Sequence, residues 1–344
     1  MPHASLADAP PATPAARFRQ AYRWMLLART LEDKIAALYH SGKIVGGVYL
    51  GRGQEAFSAS LALNLRPGHD IFAPLIRDQA GRMAFGEPIL DTARTYLGSA
   101  LGPMRGRDGN IHRGRPDLGM PAMISHLGAM LSVVCGMLKA RQFRGIPDAV
   151  GASCIGDGGT STGAFHEALN LAAVERLPLV VAVANNQFAY STPTDRQYAC
   201  RDLVDRALGY GVQGHTVDGT DLAACLDTFQ TAVHRARTGH GPQLVVGNLL
   251  RLCGHGAHDD GAYVPADLKA APLGQDCLLL ARQRLLRDFD ASPTELDLLD
   301  SQAATSVQQA VATAQRDPAP DPTLESWQPL ASRWLVETAN SESP

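Results

Sequence analysis

Two polar side chains in the middle of the chain have the type and spacing of a metal and phosphate site. Asp157 lies in a Gly-Asp-Gly-Gly segment after an apolar run, and Asn186 follows the next apolar run. Carboxylate and amide oxygens are ligands that Mg²⁺ prefers, and Mg²⁺ usually shares its coordination sphere with phosphates. The neighbouring glycines would let a backbone approach such a phosphate closely. This pattern predicts a site for a metal-bound phosphate, with Mg²⁺ favoured over Ca²⁺ or Mn²⁺.

The segments around these residues predict why they would meet. AVGASCI and LVVAVA are short apolar runs typical of buried parallel strands, and TGAFHEALNLAAVERL between them is typical of a helix. Ligands bind beyond the carboxyl ends of parallel strands, so both side chains should converge on one point. The helix should begin near Thr162, where its unpaired N–H groups and dipole would favour an anion. A Gly-Asp-Gly segment alone is typical of a simple turn, and only the paired features favour a site.

The rest of the chain predicts further helices and strands around this β-α-β unit. The apolar spacing of Trp24, Leu27, Leu31, Ile35, Leu38 and Tyr39 predicts one helix. Further helices are expected at 54–64, at 129–141, near 220–237 and within 273–315, and the helix at 129–141 should be buried almost all round. Another strand is expected at QLVVGNLL. The alternation indicates an α/β fold, with a mainly parallel sheet flanked by helices. Ala- and Pro-rich residues 1–16 predict a flexible N-terminal arm, residues 17–315 one domain, and residues 316–344, which begin with RDPAPDPT, a loose C-terminal segment.

Composition excludes several classes of function. The chain has 344 residues and is 45% hydrophobic, which is enough for a large core. Its net charge of -3 gives no basic surface for a nucleic-acid backbone, and no window reaches the length of an apolar membrane span. The N-terminus lacks the pattern of a secretory signal, and the six scattered cysteines include no Cys-x-x-Cys pair. We therefore expect a cytoplasmic protein with reduced thiols, and neither nucleic acid nor membrane as a partner.

The segment from Ile155 to Ser191 closely resembles the thiamine diphosphate motif, in which Gly-Asp-Gly is followed by Asn-Asn after the next strand. The separation of Asp157 and Asn186, 29 residues (186 − 157), fits that motif. Further segments are similar, in the same order, to the α subunit of the E1 component of 2-oxo acid dehydrogenase complexes, the family of pyruvate, branched-chain 2-oxo acid and acetoin dehydrogenases. They are GRGQEA at 51–56, IRDQAG at 76–81, GRDGNIH at 106–112, SHLGAM at 125–130 and RLCGHGAHDD at 251–260. The resemblance covers residues 17–268 and implies a thiamine diphosphate-binding fold.

This resemblance implies a set of ligands at the motif itself. Asp157, the side chain of Asn186 and the backbone carbonyl of Phe188 would bind Mg²⁺. Gly158 and Gly159 would let backbone N–H groups reach the diphosphate of the cofactor.

Further positions match family positions around the cofactor. Arg77 would grip the diphosphate, a role that suits a planar and permanently charged donor, whereas a surface salt bridge is its alternative role. Ser125 would lie beside the aminopyrimidine, and Leu127 would be the apolar wedge beneath the bent cofactor, although a core leucine would look the same in sequence. His255, in a Gly-His-Gly loop, is the candidate acid or base and could contact cofactor phosphate or substrate. Weaker candidates for the substrate channel are Tyr49, His112 and His126.

The resemblance also implies a reaction and its partners. The reaction would be oxidative decarboxylation of a 2-oxo acid, followed by acyl transfer to a lipoyl-bearing E2 acyltransferase. In the family, the carboxylate at the pyrimidine N1′ comes from a separate E1 β subunit. We therefore expect an α₂β₂ assembly with shared sites.

Departures from the family pattern leave the substrate open. Ile76 stands where family members often have tyrosine, and Cys253 stands where pyruvate-type relatives often have histidine. The loop Gly256-Ala257-His258 lacks the serine of kinase-regulated relatives, so phosphorylation control is not expected there.

Three alternatives remain. The first is acetoin cleavage or a carboligation. The second is a homologue without catalysis, which the intact candidate residues disfavour. The third is a nucleotide-binding protein, which the absence of a G-x-G-x-x-G segment or P-loop lysine disfavours.

Overall fold

The computed structural model describes residues 13–324, which are organised around a parallel β-sheet. The strands are β1 (Ile71–Ala73), β2 (Gly151–Gly156), β3 (Leu179–Asn185), β4 (Phe188–Ala189), β5 (Thr192–Pro193), β6 (Gln213–Asp218) and β7 (Gln243–Asn248). Five of them form the sheet in the order β1-β2-β3-β7-β6, every neighbouring pair being parallel, while β4 and β5 form a small antiparallel pair. The predicted fold class is confirmed.

Helices cover both faces of this sheet. They are α1 (Pro14–His40), α2 (Glu55–Ala62), α3 (Gln79–Ala84), α4 (Ile89–Tyr96), α5 (Ala129–Phe143), α6 (Gly163–Val174), α7 (Leu222–Arg237), α8 (Ala266–Ala270), α9 (Cys277–Asp288) and α10 (Pro293–Arg316). Successive strand residues point to opposite faces. Val180 and Ala182 therefore pack with α2 and α7, while Val181 and Val183 pack with α5 and α6. The long helices α1 and α10 belong to a further apolar layer outside the sheet.

Helix α1 begins earlier than the composition predicted. Residues 14–16, assigned to the flexible arm, form its first turn. The Thr13 hydroxyl accepts a hydrogen bond from the Ala16 N–H at 3.2 Å, and Pro14 occupies the first helical position, where proline is favoured. Residues 1–12 lie outside the described residues, so the arm remains a prediction there.

Helix α5 is less buried than its apolar sequence predicted. Ser132, Gly136 and Ala140 lie on an exposed face, and Phe143 is 82% exposed. The prediction was wrong because small residues count as apolar in a pattern without covering a core. The helical character predicted within 273–315 is confirmed by α9 and α10, and Ser292 caps the start of α10 after a short break.

The start of the predicted loose C-terminal segment is anchored to the domain. Asp317 directly follows α10 and accepts hydrogen bonds from Arg94 Nε at 2.7 Å and from the Ser99 hydroxyl at 2.6 Å. The domain therefore extends past the predicted boundary at residue 315. Residues 325–344 lie outside the described residues, and the loose segment remains a prediction there.

The cysteines and the apolar character of the helices bear on the expected environment of the protein. All six cysteines have free thiols, in agreement with the absence of paired cysteines in the sequence. Within residues 13–324, no helix combines the length and the apolar character that crossing a membrane requires.

Candidate active site

A cavity of about 440 Å³ opens at the carboxyl ends of β2 and β3. Asp157 follows β2, Asn186 closely follows β3, and both residues line this cavity, so their predicted convergence is confirmed. The apolar part of the lining includes Phe57, Leu75, Met123, Leu127, Ile155 and Phe188. Its polar part includes Gln54, Arg77, Asp78, Arg251 and His255. A cavity with an apolar wall and a few convergent charged groups is typical of a cofactor or substrate site.

The carboxylate of Asp157 is buried and accepts a side-chain hydrogen bond from a neutral group. Asp157 is 1% exposed, and its Oδ2 accepts a hydrogen bond from Gln197 Nε2 at 2.8 Å. Burial raises the pKa of Asp157, and the hydrogen bond from Gln197 offsets this only in part. The described part of the chain gives this carboxylate no ion-pair partner. A buried carboxylate is costly unless it is paired or binds a metal, so the site favours a cation.

Helix α6 begins at Gly163 with Thr162 as its cap, so the predicted helix start near Thr162 is confirmed. Residues 158–161 form a 3₁₀ turn, and α6 begins one turn later, with the Thr162 hydroxyl accepting from the Phe165 N–H. Gly158 and Gly159 line the cavity, whereas the first turn of α6 does not. The 3₁₀ turn lies between the cavity and the first turn of α6, and the anion site expected at that helix end stays a prediction.

Gly158 and Gly159 are required by close packing. A Cβ at Gly158 would lie 2.4 Å from the Ala189 Cβ, and one at Gly159 would lie 2.7 Å from Ile155 Cγ1. Only a residue without a side chain fits either position without a shift of its neighbour. The bare backbone at the cavity wall is therefore built into the fold.

Asn186 and Phe188 both line the cavity, and each has an oxygen atom of a type that can bind a metal. The Asn186 Oδ1 accepts only a long hydrogen bond, 3.4 Å, from the Phe188 N–H. The Phe188 carbonyl accepts a hydrogen bond from Arg251 Nη1 at 3.2 Å. Because a carbonyl oxygen has two lone pairs, the metal role predicted for Phe188 depends on the second one.

Arg77 is a buried cation held by neutral acceptors. Its side chain is almost fully buried, which excludes the surface salt bridge considered from the sequence. It donates to the Leu50 carbonyl at 3.1 Å and to the His255 carbonyl at 2.7 Å. Burial lowers the pKa of Arg77, and the nearby charge of Arg251 lowers it further, yet a guanidinium stays protonated in proteins. An anion in the cavity would stabilise this charge.

His255 lies between two aromatic rings at the edge of the cavity. Its ring centroid is 5.4 Å from that of Tyr49 and 4.4 Å from that of Tyr190. Burial, then the charges of Arg77 and Arg251, lower the pKa of His255 to about 4. The sequence predicted proton exchange near neutral pH, whereas in this state the imidazole is neutral at pH 7. An anion beside Arg77 would move that pKa back upwards.

The segment from 125 to 127 is only partly at the cavity. Leu127 lines it and is 53% exposed, so it is not an ordinary core leucine. Ser125 is exposed, its hydroxyl pairs with Nε2 of His112, and it does not line the cavity. His112 in turn pairs with Asp108, and His126 is exposed and does not line the cavity. The structure therefore brings Leu127 and Tyr49, but not the serine or these two histidines, close to the other candidates.

Sequence reasoning missed two residues that hold the site together. Arg251 is 4% exposed and donates to the carbonyls of Phe188 and Tyr190, and Gln197 holds Asp157. The position of Arg251 shortly after β7, at the same sheet edge as Asp157, was a signal that could have found it. Gln197 lies in a loop far along the chain, and no local pattern indicates its contact.

Comparison with known proteins agrees with this arrangement. Residues 22–323 match the family model of the dehydrogenase E1 component. The α subunit of acetoin:2,6-dichlorophenolindophenol oxidoreductase from Cupriavidus necator is 34% identical over 302 residues, 88% of this chain and 90% of that protein. The pyruvate dehydrogenase E1 α subunit of Rhizobium meliloti is 30% identical over 88% of this chain and 86% of its own length. The 2-oxoisovalerate dehydrogenase α subunit of Bacillus subtilis is 31% identical over 80% and 83%, respectively.

The family match spans most of the chain, and each of these relatives is an α subunit. The family predicted from the order of the sequence motifs is confirmed. This chain therefore belongs to the dehydrogenase E1 component family of oxidoreductases, which depends on thiamine diphosphate, and is an α subunit of that family.

Proposed function

We propose that this chain is the α subunit of a cytoplasmic E1 component that decarboxylates a 2-oxo acid oxidatively with thiamine diphosphate and Mg²⁺. The acyl group would pass to a lipoyl-bearing E2 acyltransferase. The proposal rests on the charges of one cavity. Arg77 and Arg251 donate hydrogen bonds to neutral acceptors, and Asp157 forms no ion pair with any residue that the structure describes. Uncompensated charges of both signs in one cavity suit a ligand made of a diphosphate and a divalent cation.

The oxygen atoms near Asp157 fit a hard cation. Asp157 supplies a carboxylate, Asn186 an amide oxygen and Phe188 a carbonyl, which are the donor types that Mg²⁺ prefers. The Oε1 of Gln197, whose Nε2 holds Asp157, is buried without a hydrogen-bond partner. Within residues 13–324, no group of three or more His, Cys, Asp or Glu side chains could hold a metal. A cation at this site would therefore take its remaining ligands from the diphosphate and water.

The same cavity also has groups that suit a diphosphate. Arg77 uses two of its five N–H donors on carbonyls, which leaves donors for an anion. Gly158 and Gly159 present backbone without side chains to the cavity. Anions are bound well by such exposed backbone together with a guanidinium fork.

When bound, thiamine diphosphate supplies the electron sink that decarboxylation of a 2-oxo acid needs. His255 would donate or accept a proton at its Nε2 atom. Its Nδ1 lies 3.4 Å from Arg77 Nη2, and because a guanidinium only donates, Nδ1 must accept. The neutral ring then carries its proton on Nε2, from which it can donate to an oxygen of the substrate. Leu127, apolar and half exposed at the wall, would press on the cofactor and exclude water.

A second chain would complete the site. The carboxylates that line the cavity are Asp157 and Asp78, and Asp78 is already held by the Leu75 N–H at 2.8 Å and by Gln54 Nε2 at 3.2 Å. Burial raises the pKa of Asp78, so it is poorly suited to stay charged beside a pyrimidine. We therefore expect the N1′ carboxylate to come from a β subunit in an α₂β₂ assembly.

Acetoin cleavage is the second candidate function. Two of the relatives matched are α subunits of acetoin:2,6-dichlorophenolindophenol oxidoreductases, one from Cupriavidus necator at 34% identity and one from Bacillus subtilis at 31%. The same cavity would serve it, because the cofactor requirement is shared. A panel of pyruvate, branched-chain 2-oxo acids and acetoin, assayed with an artificial electron acceptor, distinguishes the two.

The direct test replaces the buried carboxylate. Asp157→Ala should raise the Kd for thiamine diphosphate with Mg²⁺ at least about thirtyfold, because it removes a charged ligand, while circular dichroism stays unchanged. Calorimetric titration measures the Kd, and Asp195→Ala, at an exposed position in the nearby loop, is the matched control. Unchanged affinity in the Asp157 variant would contradict the proposal.

A second test addresses the shared site. The chain is co-expressed with an E1 β subunit from the same organism, and decarboxylation is measured for the complex and for this chain alone. Activity should require both chains. Full activity of the isolated chain would show that the site needs no second subunit.

A further inference from the structure

Glu32, on helix α1, holds the glycine-rich loop beneath the cavity. Its side chain is 4% exposed, and its two carboxyl oxygens lie 2.9 and 3.0 Å from the Gly51 N–H. Glu32 does not itself line the cavity. Its effect on a ligand there would have to pass through the loop.

The other side of the same peptide group meets Arg77. The Leu50 carbonyl accepts the hydrogen bond from Arg77 Nη1 at 3.1 Å. A Cβ at Gly51 would lie 2.3 Å from the Arg77 carbonyl oxygen and 3.3 Å from Glu32 Oε1. The Leu50–Gly51 peptide is therefore clamped, with its N–H on Glu32 and its C=O on Arg77.

We infer that Glu32 is a positioning residue, which acts through the Leu50–Gly51 peptide to fix the Arg77 guanidinium in the geometry that receives an anion. The inference rests on the proposed function only for the identity of that anion, the diphosphate of the cofactor. Arg77 is bound at both ends of its fork, to the Leu50 and His255 carbonyls, so a shift of the loop moves one of its two anchors.

A second carboxylate, that of Glu55, also accepts a hydrogen bond from the backbone of this loop. Glu55 Oε2 accepts from the Gly53 N–H at 2.9 Å, while its Oε1 pairs with Arg29 Nε at 2.6 Å. Burial, and then the charge of Glu55, raise the pKa of Glu32 to about 8. Glu32 is therefore largely uncharged at pH 7. It contributes an acceptor oxygen at hydrogen-bonding distance from the Gly51 N–H rather than a charge.

Two substitutions separate the effect of side-chain length from that of the carboxyl group. Glu32→Gln keeps the length and an acceptor oxygen, whereas Glu32→Asp keeps the carboxyl and shortens the side chain by one methylene group. Asp33→Asn is the matched control, because Asp33 is the next residue on α1 and pairs with Arg52 on the exposed side of the same loop. The full-length chain is titrated with inorganic pyrophosphate and, separately, with thiamine diphosphate and Mg²⁺.

We expect Glu32→Asp to raise the pyrophosphate Kd about tenfold, because the Gly51 N–H is left unpaired. Glu32→Gln and Asp33→Asn should stay within about twofold of the parent chain, since each keeps the contact that positions Arg77. A simple structural role would instead make both Glu32 variants lose affinity alike. That result, or unchanged affinity in a folded Glu32→Asp variant, would overturn the inference.

Hydrogen exchange provides a measurement that needs no variant. Pyrophosphate binding to the parent chain should slow exchange in residues 46–53, because ligand contact with Arg77 stabilises the clamped peptide. Unchanged exchange in this segment at saturating pyrophosphate would overturn the inference even if Glu32→Asp did not fold. A parent chain that binds pyrophosphate but not thiamine diphosphate would instead refute the proposed function, and the Glu32 titrations would still be decisive.

Discussion

Two buried clusters of charge in this protein differ in how their charges are compensated. In the first, Glu87 receives hydrogen bonds from both Arg82, at 2.9 and 3.0 Å, and Arg113, at 3.0 and 2.9 Å. Gln79 and Thr92 complete that cluster. The second is the cavity, where Arg77 and Asp157 are also buried but, within the described residues, form hydrogen bonds only with neutral groups.

The difference appears in the proton affinities of the two carboxylates. Burial alone would raise the pKa of Glu87, but Arg113 and Arg82 outweigh it and hold that pKa well below the usual range. Burial raises the pKa of Asp157, and its weaker partners do not reverse the shift. A buried charge that the chain satisfies is structural, whereas one that it leaves unsatisfied favours binding from outside.

The largest expected effect breaks the satisfied cluster. Glu87→Ala should lower the free energy of unfolding by about 3–5 kcal/mol, because two buried arginines lose their carboxylate. Urea denaturation followed by circular dichroism measures it. The exposed pair of Arg115 and Asp117 is the control, and Asp117→Asn should cost no more than about 1 kcal/mol. A loss below 1 kcal/mol for Glu87→Ala would remove the distinction between the clusters.

The next effect concerns binding rather than folding. Arg77→Met removes the unsatisfied cation but keeps much of its volume. It should weaken binding of thiamine diphosphate with Mg²⁺ by about 1.5–3 kcal/mol, the range for hydrogen bonds to a charged group. Calorimetric titration measures the Kd, and urea denaturation should show a smaller loss of stability than in Glu87→Ala. Unchanged affinity would place the diphosphate elsewhere.

The dependence of stability on pH should differ in sign between the clusters. The folded-state pKa of Glu87 is lowered, so its stabilisation is present above the ordinary value of 4.5 and is lost as the pH falls below it. The pKa of Asp157 is raised, so its contribution is greatest below the ordinary value of 3.8 and is lost as the pH rises. Asp157→Asn should therefore increase stability at pH 7 without cofactor. The gain should shrink towards pH 4 in thermal denaturation series, and a loss at pH 7 would contradict this.

The smallest expected effect is at the apolar wall of the cavity. Leu127→Ala should change the free energy of unfolding by no more than about 0.5 kcal/mol, because the side chain is half exposed. Leu131→Ala, one turn along and fully buried, should cost about 2–5 kcal/mol. Denaturation of both variants measures the contrast. A large loss in the free energy of unfolding for Leu127→Ala would show that Leu127 is a core leucine.

The parts of the site that were predictable lie at the ends of the strands. The apolar runs before Asp157 and Asn186 indicated β2 and β3, and parallel strands bring their carboxyl ends to one edge. The short strand β1 and the strand β6 were not predicted, because β1 has three residues and β6 is polar and half exposed at the sheet edge. A strand can be predicted from sequence when its apolar residues form a run or alternate with polar ones, and β1 and β6 show neither pattern clearly.

The sequence by itself determined the β2-α6-β3 unit, the α/β fold class, the family, and the two oxygen-bearing residues at neighbouring strand ends. These depend on local periodicity and on motifs that are continuous in the chain. Only the tertiary structure decided which charges are compensated, because Glu87 meets Arg113, and Glu32 meets Gly51, across distant segments. Burial and pairing are properties of the packed molecule, and the same arginine or carboxylate can be structural or ligand-binding according to which neighbours folding provides.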